Sequence, residues 1–210
     1  MSNNSRNNIL KKIRLALTHS TPIPFPQSEG GASVVQPLQQ DIVIEFAEQF
    51  TNLQGQFNFC TNAAELHQNF NLLYKQNEWT KVYCEEEQWK SMLEERIWTD
   101  DIVTCDAAIT SCELLVARTG SIVLSSKNSG RITSVYAPVH VCIAFTSQLV
   151  YDVKDALVKL NEKYKGDLPS FITLATGPSR TADIEKTLVV GVHGPKEVYL
   201  FLVDDLEIAS

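Results

Sequence analysis

The chain has 210 residues, 44% of them apolar and 20% charged, which suits one sizeable globular domain and excludes a disordered or fibrous chain. Eighteen basic against 25 acidic residues give a net charge of −7. An acidic chain with no basic stripe repels polyphosphate at long range, so nucleic acid is excluded as the main partner, while a local anion site remains compatible.

Residues 1–20 read as a short amphipathic helix, with Ile9, Leu10, Ile13 and Leu17 on one stripe and Lys11, Lys12 and Arg14 mostly off it. Such a stripe docks on the domain, on a second copy in a homo-oligomer, or on a membrane surface. No aromatic anchor accompanies it, which disfavours the membrane. Pro22, Pro24, Pro26, Gly30, Gly31 and Pro37 then mark an extended linker. The expected organisation is residues 1–37 as helix and linker, and residues 38–210 as an α/β domain.

Leu38, Ile42, Phe46, Phe50 and Leu53 stand at helical spacing, stopped by Gly55. Gln56–Cys60 reads as a strand, Thr61 as the cap of a helix carrying Ala64, Phe70 and Leu73, and Thr80–Cys84 as a second strand. A helix over 85–95 and a third strand, Ile102–Cys105, follow. The β–α–β–α–β order predicts parallel strands covered by helices. Glu113–Arg118, Ser121–Ser125, Arg131–Tyr136 and His140–Thr146 are β-rich with short turns, which predicts an antiparallel or mixed portion. A helix over 152–164, a strand Phe171–Ala175, a loop and helix over Gly177–Thr187, and strands at Leu188–Val190 and Val198–Val203 complete the pattern.

Cys60, Cys84, Cys105, Cys112 and Cys142 are dispersed. That spacing predicts reduced, partly buried thiols in a cytoplasmic protein and no zinc or iron–sulfur ligation. No GxGxxG follows the early strands, so no intrinsic flavin, haem or cluster is expected. No run approaches the ~20 apolar residues of a membrane span, and the N-terminus lacks an apolar signal core.

Four loops carry candidate chemistry. Thr176–Glu185 (TGPSRTADIE) follows an apolar strand; if it opens a helix, free N–H groups beside Gly177, Ser179, Arg180 and Thr181, with Asp183 in the first turn, form an anion site at the carboxyl end of a strand. An ordinary capped helix with Arg180 paired to an acid fits the same residues. Gly191–Pro195 (GVHGP) is a tight turn presenting His193, a general base or ligand group, or a ring that fixes its own loop. Thr119, Gly120 and Ser121 let a backbone approach a ligand closely or form a plain turn. His140, before an apolar run, fits a core histidine as well as a functional one; two histidines alone are a weak metal signal.

The runs TGSIVL, APVHV, GPSRTADIE and GVHGP, in that order, resemble the LUD domain of the lactate-utilisation protein C family, over roughly Ile109 to Val203. The resemblance implies a three-layer α/β/α fold with a mixed, mostly parallel sheet, similar to the ribose-phosphate isomerase and coenzyme A transferase group. It also implies a part in oxidising L-lactate to pyruvate with separate iron–sulfur partner proteins. The leading reading is a non-redox subunit or accessory factor that binds a small carboxylate or phosphorylated ligand, or a partner, at a cleft formed by the three glycine-containing loops. An independent enzyme acting on an anionic metabolite and a pure assembly protein are the other classes such a chain fits. One departure stands out: Arg118 occupies the place before Thr-Gly where the family pattern carries an acid.

Overall fold

The computed structural model describes residues 3–18, 37–92, 97–127, 132–184 and 187–205. The chain divides into two compact units, Met1–Pro37 and Leu38–Ser210. In the first, helix α1 (Asn3–Leu17) leaves Ile9, Leu10, Ile13 and Leu15 exposed. The proline-rich linker, with Pro22, Pro24, Pro26, Gly30 and Gly31, lies outside the described residues.

The second unit opens with α2 (Ile42–Asn52), whose first turn is held by the Asp41 carboxylate accepting from the N–H groups of Val43 and Ile44. Then come β1 (Gln56–Cys60), α3 (Ala63–Gln76), β2 (Val82–Cys84), α4 (Glu87–Met92), β3 (Trp98–Thr99) and β4 (Ala107–Thr110). Asn62, not Thr61, caps α3 by accepting from Glu65 N–H. The expected strand over Ile102–Cys105 is a turn. The Asp101 carboxylate accepts from Val103 N–H at 3.0 Å and from the Thr104 hydroxyl at 2.9 Å, a local alternative to ladder pairing.

The chain continues through β5 (Leu114–Val116), β6 (Ser121–Ser125), α5 (Thr133–Tyr136), β7 (Val139–Phe145), β8 (Leu149–Val150) and α6 (Val153–Tyr164). It ends with β9 (Ile172–Ala175), β10 (Arg180–Ile184), β11 (Thr187–Val190) and β12 (Glu197–Val203). Two expectations fail here. Where a strand was expected over Arg131–Tyr136, Thr133–Tyr136 is a single helical turn, α5, because Val135 and Tyr136 donate back to the Ile132 carbonyl; Arg131 lies outside the described residues. The segment after Gly177 is a β-hairpin, β10 paired antiparallel with β11, and not a helix. β-Branched Thr181, Ile184, Thr187, Val189 and Val190 favour the extended chain over the helix there.

The fold is α/β, with a parallel central sheet and flanking helices. The sheet runs β1-β12-β7-β4-β2-β3, parallel at every pairing, so the last strand inserts between β1 and β7. A second sheet runs β8-β5-β6-β9, antiparallel at β5–β6 and β6–β9 and parallel at β5–β8, while His140–Thr146, expected in the antiparallel or mixed portion, lies in the parallel central sheet as β7. Residue alternation along β7 and β12 divides the core. Val141, Ile143 and Phe201 meet Leu66, Phe70 and Leu73 of α3, while Cys142, Ala144, Leu200 and Leu202 meet Phe46 and Phe50 of α2 and Leu115, Ile122 and Leu124 of the second sheet. Helix α6 covers that sheet's far side through Ala156 and Leu160. Among the described residues, no helix is long and apolar enough to cross a membrane.

Candidate functional site

A cleft of about 340 Å³ opens between the amino ends of β7 and β12 in the central sheet and β9 in the second sheet. Its lining includes His140, Gly177, Ser179, Arg180, His193 and Gly194, the residues singled out in the APVHV, TGPSR and GVHGP runs. The expected position beyond the carboxyl ends of parallel strands is therefore corrected. His140 is the second residue of β7 and Val198 the second of β12, and the two are in register. Only the β9 side contributes a carboxyl end, at Ala175.

Backbone bonds, not a shared parallel strand edge, join the two glycine-containing loops. Ser179 N–H donates to the Pro195 carbonyl at 2.9 Å, and Gly191 N–H donates to the Ser179 carbonyl at 2.9 Å. A methyl at Gly194 would stand 3.0 Å from Ser179 Cβ. The Ser179 N–H is thus taken by protein, and with no helix after Gly177 no dipole supports an anion. Gly177, at φ +83°, lets its backbone pass Leu53 at the end of α2, where a Cβ would meet the Leu53 carbonyl oxygen at 2.5 Å. Arg180 Nη2 donates to that same carbonyl. Arg180 is exposed and pairs with no carboxylate among the described residues, while the side chains of the neighbouring Asp183 and Glu185 lie outside them. His193 is also exposed, and no described residue hydrogen-bonds its ring.

His140 is of another kind. It is 1% exposed, its Nε2 lies 2.8 Å from the Thr110 hydroxyl, and its Nδ1 is buried with no partner among the described residues. Burial pushes its pKa down to about 4, so the ring is neutral near pH 7. Behind it, the Thr110 hydroxyl also meets the Cys142 thiol, which burial, with the neighbouring Cys112, holds well above its ordinary range.

Other expected ligand residues stand elsewhere. Gly120, at φ +58°, packs under α2, where a Cβ would come within 2.6 Å of Phe50 N. Ser121 is buried; its hydroxyl lies 2.8 Å from that of Thr119 and 2.9 Å from that of Thr176, so the 119–121 turn reaches the cleft only through Thr176. Gly191, at φ +80°, accommodates the Lys196 side chain. The side chains of Thr181 and Asp183 lie outside the described residues. Arg118 pairs with Asp152, the cap of α6, and so anchors a helix.

Sequence reasoning missed Thr110, which ends β4 under His140, and Ser134, Val135 and Thr173, which complete the cleft wall. It also missed Glu113. This buried carboxylate accepts from Lys163 and Tyr164 at 2.6 Å each and from Ser125 at 2.5 Å. Burial alone would raise its pKa, but the bonds from Lys163, Ser125 and Tyr164 outweigh it and hold the value low. A lone acid in the apolar run ITSCELLVA was the available signal. Among the described residues, no three His, Cys, Asp or Glu side chains are grouped to hold a metal ion.

Residues 51–203 match the LUD domain. The chain belongs to the LUD domain family. Among similar proteins, lactate utilization protein C of Bacillus licheniformis is 40% identical over 100 residues, 46% of this chain and 42% of that protein. The protein of the same name from Bacillus subtilis is 39% identical over 103 residues, 48% and 43% of the two chains. An uncharacterized protein of Neisseria meningitidis is 33% identical over 106 residues, 50% and 45%. The match spans less than half the length of each of these relatives. The crystal structure of a DUF162 family protein from Deinococcus radiodurans aligns with a TM-score of 0.56 at 20% identity, over 80% of this chain and 99% of the other, a likeness of fold alone. The LUD family is thus reached from the motif runs and the domain match alike.

Proposed function

We propose that this chain is a non-redox factor of lactate utilisation that binds a small anionic ligand in the cleft between β7, β12 and β9, and works beside separate iron–sulfur proteins that carry out the oxidation of lactate to pyruvate. The observation that carries the proposal is the gathering of His140, Ser179, Arg180 and His193 around one cleft. Exposed Arg180 donors suit a carboxylate or phosphate, and the names of the Bacillus relatives supply the process. The dispersed cysteines fit a partner, not this chain, as the bearer of the redox centre.

Calorimetric titration of the full chain with L-lactate, pyruvate and inorganic phosphate tests the site. Binding of at least one anion is expected, with Arg180→Ala weakening it by roughly 1.5–3 kcal/mol, as for loss of a charged hydrogen bond, while the fold persists. Absence of binding by all three, or lost stability with unchanged affinity, contradicts the reading. The purified protein should be colourless; a visible absorption band that scales with protein concentration contradicts its non-redox part.

A further inference from the structure

The floor of the cleft makes a more specific demand than its mouth. Strand β7 reads VHVCIAF, and His140 is its one polar side chain capable of strong hydrogen bonding. It is set between Ala108 of β4 and Val198 of β12. The Thr110 bond fixes the ring through Nε2. That leaves Nδ1, one of two buried side-chain polar atoms without a partner among the described residues; the other, Trp98 Nε1, lies away from this cleft. A buried imidazole nitrogen left unpaired is destabilising, and the fold would be served better there by an apolar side chain unless the cleft supplies the missing partner.

Charge sorts the two ends. The exposed Arg180 and His193 stand where a negative charge keeps contact with water. Beside apolar neighbours such as Ala175 and Val198, the buried and half-buried part of the lining offers the neutral His140 ring and the uncharged Ser134 and Thr173 hydroxyls, with no cation, and an unpaired carboxylate placed there would be strongly disfavoured. A volume of about 340 Å³ suits a molecule of a few heavy atoms with solvent, or a somewhat larger one.

We propose that the cleft is a two-point site for a small hydroxy- or oxo-carboxylic acid, with His140 holding the uncharged hydroxyl or carbonyl oxygen on the floor while Arg180 and His193 hold the carboxylate at the mouth. The inference rests on the anion-site reading above and adds the ligand class and the residue that selects it. The imidazole serves either partner: with Nδ1 protonated it donates to a carbonyl or hydroxyl oxygen, and in the other tautomer it accepts from a hydroxyl.

The test compares propionate, L-lactate and pyruvate on the full chain by calorimetry, and follows the ring nitrogens of His140 by NMR on the unsubstituted protein. L-Lactate or pyruvate should bind about ten-fold tighter than propionate or better, because a site built around a hydrogen bond rejects the analogue lacking it. The His140 Nδ1 resonance should move with the tighter ligand and stay in place with propionate. In His140→Gln the preference for L-lactate or pyruvate over propionate should shrink; the NMR readout stands even where that variant fails to fold. Equal binding of all three acids with an unmoved His140 overturns the selection by His140 and leaves the anion site intact. No binding by any of them overturns both.

Discussion

The Nε2 atom of His140 lies 2.8 Å from the hydroxyl of Thr110, joining the second residue of β7 to the last of β4 beneath the candidate cleft. This contact fixes the ring plane and leaves the other nitrogen for whatever the cleft contains. Burial, not this contact, keeps the ring neutral, setting its pKa at about 4 against an ordinary 6.5.

The pH dependence follows from that depression. As pH falls from 6.5 towards about 4, the unfolded chain takes up a proton at this position and the folded chain does not. Stability is therefore lost across that window, by up to ~1.4 kcal/mol per pH unit from this group, and no further below it. The His140 ring resonances should be constant between pH 8 and pH 5. A titration midpoint near 6.5 would contradict the burial argument.

Glu113 predicts a second acid-sensitive element. Its folded value is held low, so its contribution is complete above the ordinary carboxylate range and is lost as pH falls through the folded value. Glu113→Gln should destabilise the domain by roughly 2 kcal/mol at pH 7, moderated because Lys163 is 58% exposed. The difference from the natural chain should narrow in acid. Urea unfolding at pH 7 and pH 4 measures both, and equal stability of the two proteins at pH 7 would refute the network's role.

Gly120 and Gly166 form a matched pair. Both have positive φ, +58° and +85°, but a Cβ at Gly120 would strike the backbone of Gln49 and Phe50 while one at Gly166 meets nothing within 4 Å. Gly120→Ala should destabilise by roughly 2–4 kcal/mol and Gly166→Ala by about 1 kcal/mol. Similar costs in denaturant titrations would show that packing under α2 is not what requires Gly120.

Among the described residues, the apolar clusters of the second unit draw on residues from Ile42 onward. Removal of residues 1–37 should therefore leave a single cooperative unfolding transition, while the exposed stripe of Ile9, Leu10 and Ile13 predicts weaker self-association in the shortened chain. Sedimentation and calorimetry check the two halves; loss of cooperative unfolding would mean that the first unit is part of the domain's core.

The elements with a clear apolar period were legible in the sequence: Phe46 and Phe50 of α2 and Phe70 and Leu73 of α3 are buried at their helical spacing, and His140–Thr146 reads as a strand, though its place in the parallel central sheet was not legible. The failures share a cause. Asp101 and Ile132 draw nearby donors into local bonds that composition does not reveal, and the Thr- and Val-rich stretch after Arg180 outweighs the helix-opening signs of Gly177, Pro178 and Ser179. For the candidate site, residues of three of the four motif runs line one cleft, and the Ser179–Pro195 and Gly191–Ser179 backbone bonds, not a helix end, join two of them. No spacing rule links Thr110 to His140, since only the β4–β7 pairing brings them together.

Where a small anion binds can be seen directly. In an NMR titration of the full chain with L-lactate, the largest shifts should fall on Thr176, Ser179, His193, Gly194 and the His140 ring, with none along the polar groove of Gln56, Asn58, Asn69 and Asn77 at the outer edge of β1. Shifts concentrated in that groove, or none anywhere at saturating lactate, pyruvate and phosphate, would contradict the placement of the site between β7, β12 and β9.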